Sequence, residues 1–92
     1  QGVSLLATQE HCKHCFDVLL THYRGASSPR PQFPEVVCSL FVTWKKAHAA
    51  ELRLRGCIGT FEPKNIHSAL KEYALTSALR DRRFEPIHEK EL

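Results

Sequence analysis

Cys57 lies in RLRGCIGTF, residues 53–61, with Arg55 two positions before it and glycines at 56 and 59. A thiol attacks as its thiolate, and a neighbouring guanidinium favours that form. On an extended chain the side chains alternate, so Arg53, Arg55, Cys57, Gly59 and Phe61 share one face. Arg55 then stands about 7 Å, one pleat repeat, from the thiol. This pattern makes Cys57 the candidate nucleophile or redox thiol, with Arg55 as its activator.

The competing reading is packing. Glycines inside a strand mark a bulge or the close approach of another backbone, and a cysteine between them fills a small space. The opposite face, Leu52, Leu54, Gly56, Ile58 and Thr60, is assigned to the core by the same alternation. A phosphate cradle is the third reading, but RGCIGT has neither the GxxxxGK[ST] nor the GxGxxG spacing.

HCKHC, residues 11–15, sets Cys12 and Cys15 at CxxC spacing with His11 and His14 beside them. A zinc site of this kind needs a second pair of ligands at finger-like distance, and none follows. The cysteines fall on the apolar stripe of a helix, so core packing is expected and no metal is assigned. Arg80, Arg82, Arg83 and Phe84 form a basic and aromatic cluster that could meet RNA or DNA phosphates, or be solvated and paired with Asp81. No helix-turn-helix, RNP or zinc-finger pattern supports the nucleic-acid reading. His48 and His67 are possible bases and Glu62 or Asp81 possible orienting groups, but no spacing brings them to Cys57.

The elements that must position these groups follow from periodicity. Cys12, Cys15, Phe16, Leu19, Leu20 and Tyr23 recur at helical spacing between Thr8, an N-cap residue, and Gly25, a C-terminal stop. Residues 25–36 carry three of the five prolines and form a connector. Val36–Lys45 and Leu52–Phe61 read as strands joined by KAHAAE into an antiparallel hairpin. Pro63 and Asn65 stop the second strand and start a helix over Ile66–Leu79, and the charged tail is expected to end without a closing element. The order is helix, strand, strand, helix: an α+β class with helices packed on an antiparallel sheet. Two strands alone do not make a stable sheet, so either both helices cover this hairpin or further strands belong to it.

Ninety-two residues make one domain. Its apolar runs are far shorter than the roughly 20 residues of a membrane span, and no signal peptide is visible, so the expectation is an intracellular chain away from membranes with reduced cysteines. A net charge of +3 permits an anionic partner without demanding one. The chain opens at Gln1 and has no methionine, so a fragment is expected.

LRGCIGT at 54–60, LFVTWKK at 40–46, ALTSALRDRRFEPI at 74–87 and CFDVLLTHY at 15–23 together resemble the AMMECR-type domain family. The resemblance implies a two-subdomain α+β protein, the larger part an α/β/α sandwich on an antiparallel sheet. It implies that residues 1–92 are the N-terminal part of a domain that runs on for roughly another hundred residues. It also implies that the LRGCIG segment is the functional surface. Carried over, that nominates Arg55, Gly56, Cys57, Ile58, Gly59 and Thr60, with Asp81, Arg83 and Phe84 as neighbours. Family knowledge supplies no settled reaction and no cofactor. Prokaryotic relatives are associated with Memo-type and radical SAM proteins, and a nuclear or regulatory role is suggested for eukaryotic members. Two classes of function stay open: a binding or regulatory module for a protein partner or small anionic ligand, and an enzyme or enzyme subunit using Cys57. An RNA- or DNA-binding accessory role is the third.

Overall fold

A computed structural model describes residues 7–92. Its elements are α1 (Gln9–Arg24), β1 (Val37–His48), β2 (Glu51–Asn65), α2 (Ile66–Leu79) and a closing 3-10 turn, η1 (Glu89–Glu91). The strands pair antiparallel in a two-stranded sheet, and both helices lie on one side of it. This is the α+β arrangement expected from the pattern.

The helix ends fall where the capping residues stand. Thr8 is the N-cap of α1 and donates its N–H to His11 Nδ1, while the N–H of Gly25 closes the far end on the His22 carbonyl. Asn65 caps α2 by accepting the His67 N–H at 2.9 Å. The buried arc of α1 is rotated from the expected stripe. His14, Cys15, Val18 and Leu19 are buried, whereas Cys12 is exposed and Phe16 sits half-exposed over the rim of an apolar groove of about 260 Å³ beside β1. Phe16 meets the edge of Trp44 there, with ring centroids 5.0 Å apart. Burial pushes the Cys15 thiol up to about 12, so it is inert as a nucleophile at neutral pH.

Both strands run further than their apolar residues. Pairing continues through Lys45, Lys46 and His48 opposite Leu54, Arg53 and Glu51, and the turn contracts to Ala49 and Ala50, with Ala49 at φ 56. The ladder is made by backbone groups, so charged side chains do not end it where solvent takes them up. Pro63 does not stop β2 because it falls where the register slips, between Cys38 opposite Lys64 and Leu40 opposite Thr60. A residue with no N–H is tolerated at such an irregularity.

A second slip governs the site. Trp44 pairs with Gly56 but Lys45 pairs with Leu54, so Arg55 is an extra residue on β2, a bulge. The bulge resets the alternation. Gly56, Ile58 and Thr60 face the helices opposite Trp44, Val42 and Leu40, as expected. Leu52 and Leu54, expected in the core, fall on the outer face instead and are 66% and 43% exposed.

The core lies between the helices and the inner face of the hairpin: Val18, Leu19, Phe33, Val42, Trp44, Ile66, Leu70, Ala74, Ala78 and Ile87. Trp44 anchors it, its Nε1–H donating to Ser77 Oγ at 2.9 Å in α2. The tail is docked, contrary to the expectation of a loose end. Ile87 is buried, its N–H donates to the Ala78 carbonyl, and η1 closes the chain. The reason lies in long-range ion pairs from Arg24, Lys46 and Arg55 to Glu89 and Glu91 that no local pattern announces.

Candidate functional site

The two glycines of LRGCIG are placed by close contacts on opposite sides. A methyl group at Gly56 would collide with the Ser77 carbonyl oxygen of α2 and touch Trp44 Cδ1 at 3.7 Å. A methyl group at Gly59 would run into the Leu40 carbonyl and come within 2.5 Å of the Phe41 Cα in β1. Gly56 therefore lets the helix backbone lie against the strand, and Gly59 lets β1 do so. Phe41 spans the gap above Gly59 and meets Phe61 edge-on at 5.0 Å.

Cys57 lies between them, opposite Thr43. Its N–H donates to Asp81 Oδ2 at 3.0 Å, and its carbonyl accepts from Arg83 Nη2 at 3.1 Å. Both backbone groups therefore point off the outer edge of β2, where a side-chain clamp takes the place of a neighbouring strand. Asp81 is only 6% exposed and also accepts from the Arg83 N–H, Nε and Nη2 at 3.1, 3.0 and 2.7 Å. Those bonds to Arg83 and to the Cys57 N–H hold its carboxyl far below the usual carboxylate range. The Arg83 guanidinium also lies 5.4 Å from the centre of the Phe84 ring.

Arg55, thrown off the strand face by the bulge, turns to the tail. It donates to the Glu85 carbonyl at 2.6 Å and the Pro86 carbonyl at 3.3 Å, and forks onto Glu91 with two bonds of 3.1 Å. The pair is largely withdrawn from water, at 17% and 11% side-chain exposure. Arg55, the His88 N–H and Lys46 together pull the Glu91 carboxyl down to about 2. The sign follows from linkage: a depressed carboxylate adds stability above its ordinary value of 4.5 and loses it as pH falls toward 2. Protection factors of the Glu91 and Leu92 amides, with exchange rates corrected for their intrinsic pH dependence, should therefore be constant near neutral pH and fall across that acid window.

The nominated residues divide. Cys57, Asp81 and Arg83 come together, but through the Cys57 backbone; Arg55 serves Glu91 and the tail carbonyls. The Cys57 thiol has the Thr43 hydroxyl at 3.1 Å, a contact that spacing alone did not suggest. Ile58 is half-buried opposite Val42, Thr60 accepts the Glu62 N–H at 3.0 Å, and Phe84 is half-buried behind the clamp. Arg80 and Arg82 are exposed. His67 is occupied at the connector, with Nε2 2.8 Å from the Phe33 carbonyl oxygen. Glu91 went unnoticed in sequence because one glutamate in a charged tail carries no spacing signal.

The outer face exposes Val37, Phe41, Phe61, Leu54 and Leu52 to solvent, with Thr43 and Cys57 between them and Lys45 opposite Leu54. Among the described residues no helix is long and apolar enough to cross a membrane.

The AMMECR1 family model matches residues 12–92. An uncharacterized protein of Arabidopsis thaliana is 55% identical over 87 residues, 94% of this chain and 41% of that protein. An uncharacterized protein of Kluyveromyces lactis is 54% identical over 63 residues, 68% of this chain and 27% of its own length. One from Schizosaccharomyces pombe is 31% identical over 87 residues, 91% of this chain and 45% of its own length. The chain thus spans less than half of the length of these relatives.

Proposed function

The chain belongs to the AMMECR1 domain family, and we propose its function from the geometry: a binding module whose recognition surface is the outer face of the hairpin around LRGCIG. Its partner in this reading is a protein. One observation carries it. Arg55 is withdrawn onto Glu91 and Arg83 is paired with Asp81, while large apolar side chains stand in solvent. An apolar face flanked by polar groups has the make-up of a protein-binding patch. The bulge, the glycines and the clamp then serve to hold that face in one shape, which lowers the ordering cost of association.

Phe61, 87% exposed, is the residue to change. Phe61→Ser is expected to leave thermal stability within about 0.5 kcal/mol of the native chain, since it removes no buried contact. The same variant should lose partners that cross-link to the native chain in cells. Unaltered cross-linking with Phe61→Ser and Phe41→Ser would reject this face as the recognition surface. Cys57→Ser keeps size and polarity and should retain binding. A catalytic activity lost with that variant alone would instead favour thiol chemistry.

A further inference from the structure

The connector between α1 and β1 is held by histidines at Phe33 and by Asn65, which donates to the Glu35 carboxylate, near its end. From the Ala26 N–H, which donates to Thr21, to the Val36 carbonyl, which accepts from Ile66, the described residues show no backbone bond from this segment to the rest of the fold. Phe33 is the anchor, buried in the core. Three imidazoles surround its ring: His11 at 4.3 Å between centroids, His67 at 5.2 Å and His14 at 5.3 Å. They come from both helices, and His67 Nε2 also reaches the Phe33 carbonyl oxygen at 2.8 Å.

We propose that this histidine cage is an acid-operated latch: with His14 neutral it grips Phe33, and protonation of His14 releases residues 26–34 while the helices and hairpin stay packed.

His14 is the imidazole of the cage that resists a proton, and its surroundings say why. His14 is 5% exposed, and a charge there would be taken from water without a hydrogen-bonded counter-ion. Asp17, the carboxylate nearest it in the helix, is already paired with Lys13 at 2.8 Å. His11 is tied to the start of α1, its Nδ1 lying 3.0 Å from the Thr8 N and 2.9 Å from the Thr8 hydroxyl oxygen. His67 holds the Phe33 carbonyl through Nε2 at 2.8 Å, and a positive charge on its ring would oppose one on His14. The charged groups around His14 are Glu10, Lys13 and Asp17 from α1 and Arg30 from the connector; Glu35, from the connector, is bonded to Asn65 at the start of α2. Glu10 and Asp17 favour the proton, while Lys13, Arg30 and the other two histidines oppose it. A protonated ring gains some attraction for the face of Phe33, but three adjacent cations in a partly dry site repel one another more strongly. Burial, the largest cause, moves His14 below its ordinary value of 6.5. Stability is then full above that value and falls as pH drops through it toward the folded-state midpoint.

The test is an NMR titration of the 92-residue chain from pH 7.5 to pH 4.5. It follows the histidine Cε1 shifts, the contacts between the Phe33 ring and the three imidazoles, and the Trp44 Nε1–H signal as a marker of the core. The expected result is loss of the Phe33 contacts in step with His14 protonation. The open connector should rise at least tenfold in population while the Trp44 signal is unchanged. Contacts that persist after His14 is protonated would overturn the latch, as would a closed cage over the whole range or loss of the Trp44 signal together with the connector. His14→Phe should keep the connector closed at pH 4.5. Where that variant does not fold, His67→Gln, which retains an N–H for the Phe33 carbonyl, should move the opening to lower pH; opening at the native pH in both would also overturn it.

Discussion

Replacing Gly56 by alanine is expected to cost the chain about 3 kcal/mol or more, because the new methyl group meets backbone that has no rotamer to give. The obstacle is the Ser77 carbonyl in α2, and Ser77 is fixed by two neighbours: its hydroxyl donates to the Tyr73 carbonyl at 2.6 Å and accepts from Trp44. The helix must lift off the strand, and the Trp44 contact goes with it. For a domain of this size each kcal/mol is worth about 4–8 °C in Tm, so thermal unfolding followed at Trp44 should shift down by more than about 12 °C. Gly59→Ala should act through the other side, separating β1 from β2 at Leu40 and Phe41. A Gly56→Ala chain with native Tm would mean that α2 does not rest on this strand.

Arg55→Ala is the second large effect. It removes the fork onto Glu91 and two bonds to tail carbonyls, and it leaves Glu91 with Lys46 and the His88 N–H as partners. Breaking a buried pair costs about 3–5 kcal/mol; with both partners partly exposed, about 2 kcal/mol is expected here. Arg55→Lys should recover less than half of that, since one ammonium cannot reach a carboxylate and two carbonyls in a planar fork. Denaturant titration of Arg55→Ala, Glu91→Ala and the double variant would give the coupling directly. Additive single effects would mean that the tail is not held by this pair.

These effects show why the site was only partly legible in the sequence. The helices could be read because Thr8, Gly25 and Asn65 act locally and the apolar spacing spans several turns. The hairpin could be read from its β-branched and aromatic residues. The bulge at Arg55 could not, because nothing in RLRGCIG says which residue is the extra one; that is decided by pairing with β1, Trp44 with Gly56 and Lys45 with Leu54. One displaced residue moved Leu52 and Leu54 out of the expected core and took Arg55 off the Cys57 face. The tail's docking rests on pairs between residues far apart, Arg24 with Glu89 and Arg55 with Glu91, which periodicity does not see. The glycines were the more informative signal. They were expected to mark a bulge or a close backbone approach, and backbone presses on both.

LRGCIG on this account is a platform: its glycines and charged neighbours fix the strand, and the apolar outer face does the recognising. The Cys57 amide reports on that most directly. Its N–H points away from β1 and is held by the buried Asp81 carboxylate at 3.0 Å, whereas Thr43, paired with Cys57 across the ladder, turns its N–H toward the open edge of β1. Residue-resolved hydrogen exchange should find Cys57 protected like the paired amides of β2, Thr43 fast, and Cys57 as fast as Thr43 in the Asp81→Ala variant. Equal, rapid exchange at Cys57 and Thr43 in the native chain would contradict the account.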